Sequence, residues 1–206
     1  MMELFLSAFI SLFVVIDPPG AAPIFGSLTT DANAQQRRSM AFRAVFVASI
    51  ILVAFAVVGE AFLRTLGISL EAFRIAGGIM LFFIALEMVF EMRTRRREER
   101  AEKIKDKADF EDVAIFPMAM PMIAGPGSIA TVMLLMARAH GPEETTIVFA
   151  ALAANLLLML GGMLAVGPIM RIFGGQVEAV ITRLFGVILA ALAVQFVLDG
   201  LRESIL

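Results

Sequence analysis

The chain has 206 residues, 60% hydrophobic and only 17% charged, with a formal net charge of −2 and a mean hydropathy of +0.89. An average soluble domain carries about a quarter charged residues, so too little polar side chain is present to coat a water-soluble globule. Cys, Trp and Tyr are absent, which excludes disulfides, thiolate metal sites and cysteine nucleophiles.

Apolar runs recur along the whole chain, whereas a soluble helix needs a polar face at every turn. The expected fold is an all-α polytopic membrane protein, a single membrane domain over 1–206 with spans near 4–26, 40–62, 69–90, 113–136, 145–168 and 179–199. Six spans of about 20 residues consume well over half the chain and leave no room for a sizeable soluble domain. The first span starts at Leu4 with no basic region before it and runs into Asp17-Pro18-Pro19-Gly20. It is therefore expected to be a retained helix and not a cleaved signal peptide.

Span 1 contains Asp17, Pro18, Pro19, Gly20, Ala21 and Pro23. Interior prolines remove backbone bonds and clash with the preceding turn, so an interrupted helix is predicted. Such a break is tolerated in a bilayer only where it faces protein or water, which marks an internal site. Asp17 has two readings of equal weight: a cap on the half-helix that follows it, or a carboxylate lining a cavity.

Span 3 brings Arg74, Gly77, Gly78 and, near its far end, Glu87. The glycines read as close-packing surface. Glu87 reads as a solvated or paired end residue ahead of a proton-coupling group, and Glu60 lies similarly near the end of span 2. The connection 92–112 carries Arg93, Arg95, Arg96, Arg97, Arg100, Lys103, Lys105 and Lys107. Its like-charge crowding argues against a folded domain.

Span 4 repeats the interruption with Pro117, Pro121, Gly125, Pro126 and Gly127, followed by the hydroxyls Ser128 and Thr131. It has no carboxylate, so the free N–H groups at the start of its second half suit an anion. The lone His140 lies in a polar turn, without the companions a metal ligand needs. Asn155, deep in span 5, is either a helix–helix clamp or a pocket ligand, with the clamp favoured. Arg183 in span 6 matches Arg74 in span 3; each snorkels to the headgroups or closes a gate against a carboxylate, and snorkelling is favoured.

Eight basic residues place the 92–112 connection in the cytoplasm, with both termini on the outer side. Pro19-Gly20-Ala21 echoes Pro126-Gly127-Ser128 at an offset of 107 residues, and Arg74-Ile75-Ala76-Gly77 echoes Arg183-Leu184-Phe185-Gly186 at an offset of 109. Two three-span repeats, 1–91 and 113–206, are expected. An odd span number forces the second to insert upside down, as in many secondary transporters. Together the two breaks suit a zwitterion, its carboxylate at Gly127-Ser128 and its ammonium near Asp17 or freed carbonyls.

The motifs Asp17-Pro18-Pro19-Gly20-Ala21-Ala22-Pro23 and Pro121-Met122-Ile123-Ala124-Gly125-Pro126-Gly127-Ser128-Ile129, with Gly67-Ile68-Ser69 and Phe73-Arg74-Ile75-Ala76-Gly77-Gly78 between them, resemble the MarC family of bacterial and archaeal membrane proteins over essentially the whole chain. The family pattern usually has Asn where this chain has Ala21. The resemblance implies a six-span inner-membrane protein, and small neutral amino acids such as glycine and alanine are the substrates attributed to some members.

The function expected is a secondary transporter of small zwitterionic amino acids by alternating access, within the lipid bilayer and without a cofactor or nucleic-acid partner. Coupling to a proton or sodium gradient, with Asp17 the first residue to suspect, and pairing into homo-oligomers are left open. No Gly-rich loop ending in Lys-Ser or Lys-Thr is present, so direct ATP use is not expected. A channel or facilitator, or an exporter of another small polar solute, is the alternative, followed by a structural or regulatory membrane protein. An enzyme is not expected, because no Ser-His pair or His-containing metal cluster can form within the membrane.

Overall fold

The computed structural model describes residues 1–30, 32–92, 96, 99, 112–166 and 175–205. Among these the chain is helical with no strand: α1 (Met2–Ile16), α2 (Pro18–Leu28), α3 (Ala34–Thr65), α4 (Leu70–Val89), a wide-wound segment Ile115–Ile123, α5 (Pro126–Arg138), α6 (Gly141–Leu164) and α7 (Gly175–Ile205). Five stretches are long and apolar enough to cross a bilayer: Met2–Leu28, Ala34–Thr65, Leu70–Val89, Gly141–Leu164 and Val180–Ile205. Ile115–Ile123 and α5, bent by 46° at their junction, make a sixth if the pair is one span. Most of the charged connection lies outside the described residues.

Capping explains several boundaries. Asn33 accepts from the Gln36 N–H at 2.9 Å while the Gln36 side chain accepts from the Asn33 N–H at 3.0 Å, a reciprocal box that starts α3 six residues before the expected span. Ser69 accepts from the Ala72 N–H and opens α4. Large apolar side chains point outward, Phe46 and Leu157 each 67% exposed, as a surface solvated by lipid requires.

The first interruption is narrower than the prolines predict. Only Asp17 leaves the helix, in the left-handed region at φ 58° and ψ 62°. Pro18 and Pro19 occupy the first turn of α2, where the missing N–H is no loss. Pro23 is accommodated inside α2, contrary to the expectation that it helps break the span. In the second interruption Phe116 (φ −128°, ψ 122°) and Met120 (φ −134°, ψ 124°) are extended within the wide-wound segment. Each precedes a proline, whose ring disfavours the helical region at the residue before it.

Helices α4 and α7 pack antiparallel through a glycine seam. A Cβ on Gly78 would stand 2.7 Å from the Ala193 carbonyl oxygen and 2.8 Å from a Val197 methyl. A Cβ on Gly186 would stand 3.1 Å from the Ala85 carbonyl oxygen and 2.9 Å from a Val89 methyl. Gly186, Ala193 and Val197 follow Gly78, Ala85 and Val89 by the same 108 residues, so the two contacts are one contact seen from either helix. Charged pairs close both ends: Arg74 with Glu203, and Arg183 with Glu91 at 2.6 Å.

Candidate functional site

The two interruptions meet in the interior. Gly127, second residue of α5, lies where a Cβ would be 2.6 Å from Ile84 on α4 and 3.1 Å from Val15, two residues before Asp17. A side chain at 127 would meet the ends of the Ile84 and Val15 side chains and require them to move, so glycine here leaves room for close approach of α5 to α1 and α4.

Around this junction is a cavity of about 160 Å³, lined by Val15, Ile84, Glu87, Arg96, the Pro121–Met122 turn and Gly125 to Ser128. It has room for a few waters or a small solute. Its deep wall is the N-terminus of α5: Gly125 is the cap, in extended conformation, and Ser128 is 98% buried, with 2% of its surface accessible. No side chain caps these N–H groups, and among the described residues the Ser128 hydroxyl has no hydrogen-bond partner. A helix N-terminus combines unpaired donors with a partial positive charge of roughly half an electron. At the mouth, Glu87 and Arg96 form an ion pair, their side chains 26% and 60% exposed. The cavity therefore presents hydrogen-bond donors at one end and opposite charges at the other.

Asp17 is buried against this region but does not line the cavity. Its carboxylate accepts from the Gly20 N–H at 3.2 Å, the Ala21 N–H donates to its carbonyl at 3.0 Å, and its own N–H donates to Phe13 O at 2.9 Å. The capping reading is thus realised. It also explains Gly20, because a Cβ there would lie 2.5 Å from Asp17 Oδ2. Pro18 and Ala21 are buried and Pro23 half-buried. Ala21, where the family pattern has Asn, contributes to the main apolar core.

The other predicted residues divide. Thr131, one turn beyond Ser128, is fully buried away from the cavity, and its hydroxyl has no partner among the described residues. Asn155 donates to Phe9 O at 3.1 Å and Ala151 O at 2.9 Å, tying α6 to α1; it does not reach the cavity. Gly77 packs on Leu134, 3.2 Å from its would-be Cβ. Gly161 faces open space, whereas the would-be Cβ of Gly162 stands 3.5 Å from Ala22.

Arg74 differs from the favoured snorkelling reading, whereas Arg183 stays exposed while it pairs. Arg74 is 4% exposed and its guanidinium is spent on Glu203; Arg183 reaches Glu91 across the helix pair. A buried guanidinium without a carboxylate would leave an uncompensated charge, which is why pairing prevails over extension to water at Arg74.

Sequence reasoning missed a second charged group, at the opposite end of α4 from the cavity. Arg138, at the close of α5, pairs with Asp199 and stacks over the Phe196 ring at 4.6 Å, while Gln195 donates to Asp199 at 2.7 Å. Its signal was faint: an arginine at the end of one apolar run and an aspartate near the end of another, 61 residues apart. Among the described residues no group of three or more His, Cys, Asp or Glu side chains is placed to hold a metal ion.

The sequence profile described as "MarC family integral membrane protein" matches residues 2–205. The chain is 36% identical to a UPF0056 membrane protein of Methanocaldococcus jannaschii, over 100% of this chain and 99% of that one. It is 35% identical to the UPF0056 membrane protein YvbG of Bacillus subtilis, over 98% and 96% of the two chains. It is 32% identical to YhcE of Escherichia coli, over 94% and 90%. No solved structure matches.

Proposed function

The chain belongs to the MarC family of integral membrane proteins, with relatives in bacteria and archaea, and from that premise we propose that it is a secondary transporter of small neutral amino acids such as glycine and alanine. The observation that carries the reading is the cavity of about 160 Å³ at the junction of the two interruptions, with the α5 N-terminus and the Ser128 hydroxyl at its deep end. A solute carboxylate at Gly127-Ser128 meets the N–H groups of those two residues and the helix dipole without displacing a side-chain cap. Donors at a broken-helix end suit a zwitterion better than an apolar groove does, because each solute charge needs a counterpart once water is removed.

The mechanism proposed is alternating access between two inverted three-span repeats, 1–91 and 113–206. Two features support it. The Gly78 and Gly186 contacts exchange under a single offset of 108 residues. The packing pairs also exchange: α1 on α6 answers Ile115–Ile123 on α3, α2 on α6 answers α5 on α3, and α2 on α7 answers α5 on α4. A seam with such internal two-fold character gives two equivalent ways of opening, one toward each side. On this reading the basic 92–112 connection is cytoplasmic, both termini are outside, and the cavity opens inward beside Glu87. Arg138–Asp199 and Arg74–Glu203 close the outer side.

The test is uptake and counterflow of radiolabelled glycine and alanine into proteoliposomes of the purified chain, with and without imposed proton and sodium gradients. Saturable counterflow is expected, and gradient dependence names the coupling ion. Non-saturating flux without counterflow would assign a channel instead, and flat traces from correctly inserted protein would remove these substrates.

A further inference from the structure

We infer that Glu87, and not Asp17, is the ligand of the substrate ammonium, and that Arg96 is a resident cation that substrate must displace. This rests on the transport reading above and names the second half of its binding site.

The cavity has a place for a carboxylate at Gly127 and the otherwise unpartnered, 98% buried Ser128 hydroxyl. A zwitterion bound there needs an anion within its own short length. Asp17 does not line the cavity, and its carboxylate is engaged at the Gly20 N–H. Glu87 does line it. It lies three residues, hence about one helical turn or 5 Å, beyond Ile84, whose side chain abuts Gly127. Of the described side chains around the cavity, Glu87 is the one carboxylate.

Arg96 is the other charged lining residue and occupies Glu87 directly. The two partners are held unequally. Glu87 is fixed on α4 and is 26% exposed, whereas Arg96 lies beyond the end of that helix and is 60% exposed. The guanidinium is therefore the partner that can leave for water at lower cost. Replacing it with a substrate ammonium keeps Glu87 paired in both empty and loaded states, so a half-buried carboxylate is never left uncompensated. It also makes the cavity selective: a carboxylate lacking an amine gains the α5 contacts but has nothing with which to release Arg96 from Glu87.

The experiment is equilibrium binding of radiolabelled glycine to the purified full-length chain in detergent, comparing wild type, Glu87→Gln and Arg96→Gln. Both substitutions break the same ion pair, so a merely structural role moves both affinities in the same direction. Opposite directions are expected: Glu87→Gln weakens glycine by about tenfold or more, as loss of a charge-assisted contact in a partly desolvated site requires, and Arg96→Gln tightens it. A fall in affinity for Arg96→Gln, or unchanged affinity in either variant, overturns the assignment. Should Glu87→Gln fail to fold, the direction of the Arg96→Gln change decides alone. Absence of glycine binding to wild type would remove the transport reading and this one together, whereas wild-type binding with same-direction changes removes only this one.

Discussion

Gly78 on α4 and Gly186 on α7 hold the same position on opposite sides of one antiparallel seam, each pressed against a backbone carbonyl of the other helix, Ala193 and Ala85 respectively. In a bilayer helices gain nothing from hiding apolar surface from one another, so close backbone approach is a main source of attraction. A methyl at either site must spread the pair. Gly78→Ala and Gly186→Ala are each expected to destabilise the protein by about 1–3 kcal/mol, and by similar amounts. Gly161→Ala is the control, since nothing stands within 4 Å of its would-be Cβ; there alanine's better helix propensity makes the change neutral or slightly stabilising. Thermal unfolding in detergent measures all three, and equal losses at 78 and 161 would remove the seam as the cause.

At the first interruption Asp17 and Gly20 form a unit, the carboxylate lying over the glycine and accepting its N–H. Gly20→Ala is expected to displace the carboxylate and cost about 1 kcal/mol, the usual worth of an N-cap. Asp17→Ala should cost more, because it loses the cap and also leaves a side chain poorly suited to φ 58°; Asp17→Gly should recover the conformational part. Since Gly20→Ala and Asp17→Ala remove the same interaction, their double variant is expected to fall well short of the sum. An additive cycle would show that the two residues act separately.

Much of this was legible in the chain. The apolar runs located the spans because a bilayer demands length and continuity, and Pro-Gly clusters located both interruptions because backbone bonds cannot form through them. What escaped was long-range pairing. Arg74 looked like a snorkelling residue because its partner Glu203 is 129 residues away. Glu87 looked like a helix-end residue because nothing local shows that the second interruption packs beside it. Pro23 looked like a breaker because spacing alone does not reveal that Asp17 is the one residue to leave the helix.

The pairing at the end of α4 away from the cavity is itself testable. Arg138 is one-third exposed, ion-paired with Asp199 and stacked on Phe196. Loss of one partner strands a partly buried charge, so Asp199→Asn and Arg138→Gln are each expected to destabilise, while the double variant costs less than their sum. A coupling energy of about 0.5–3 kcal/mol is expected from the double-mutant cycle. Zero coupling would reduce the pair to an exposed ion pair, for which little stabilisation is typical.

Because the chain contains no cysteine, a single introduced thiol reports its own surroundings without background. Ser128 is buried by surface measure yet lines the cavity, whereas Thr131, one turn along α5, is buried outside it. A small water-soluble thiol reagent applied to the membrane face that carries residues 92–112 is therefore expected to label the Ser128→Cys variant and to leave Thr131→Cys unlabelled. Glycine at saturating concentration should slow the labelling at 128, since a carboxylate seated on the α5 N-terminus covers that side chain. Labelling at both positions would mean that α5 itself opens, and no protection by glycine would move the substrate away from the second interruption. Reaction at 128 from the opposite face alone would reverse the orientation proposed for the cavity, because the path to its deep wall would then run past Arg138 and not past Glu87.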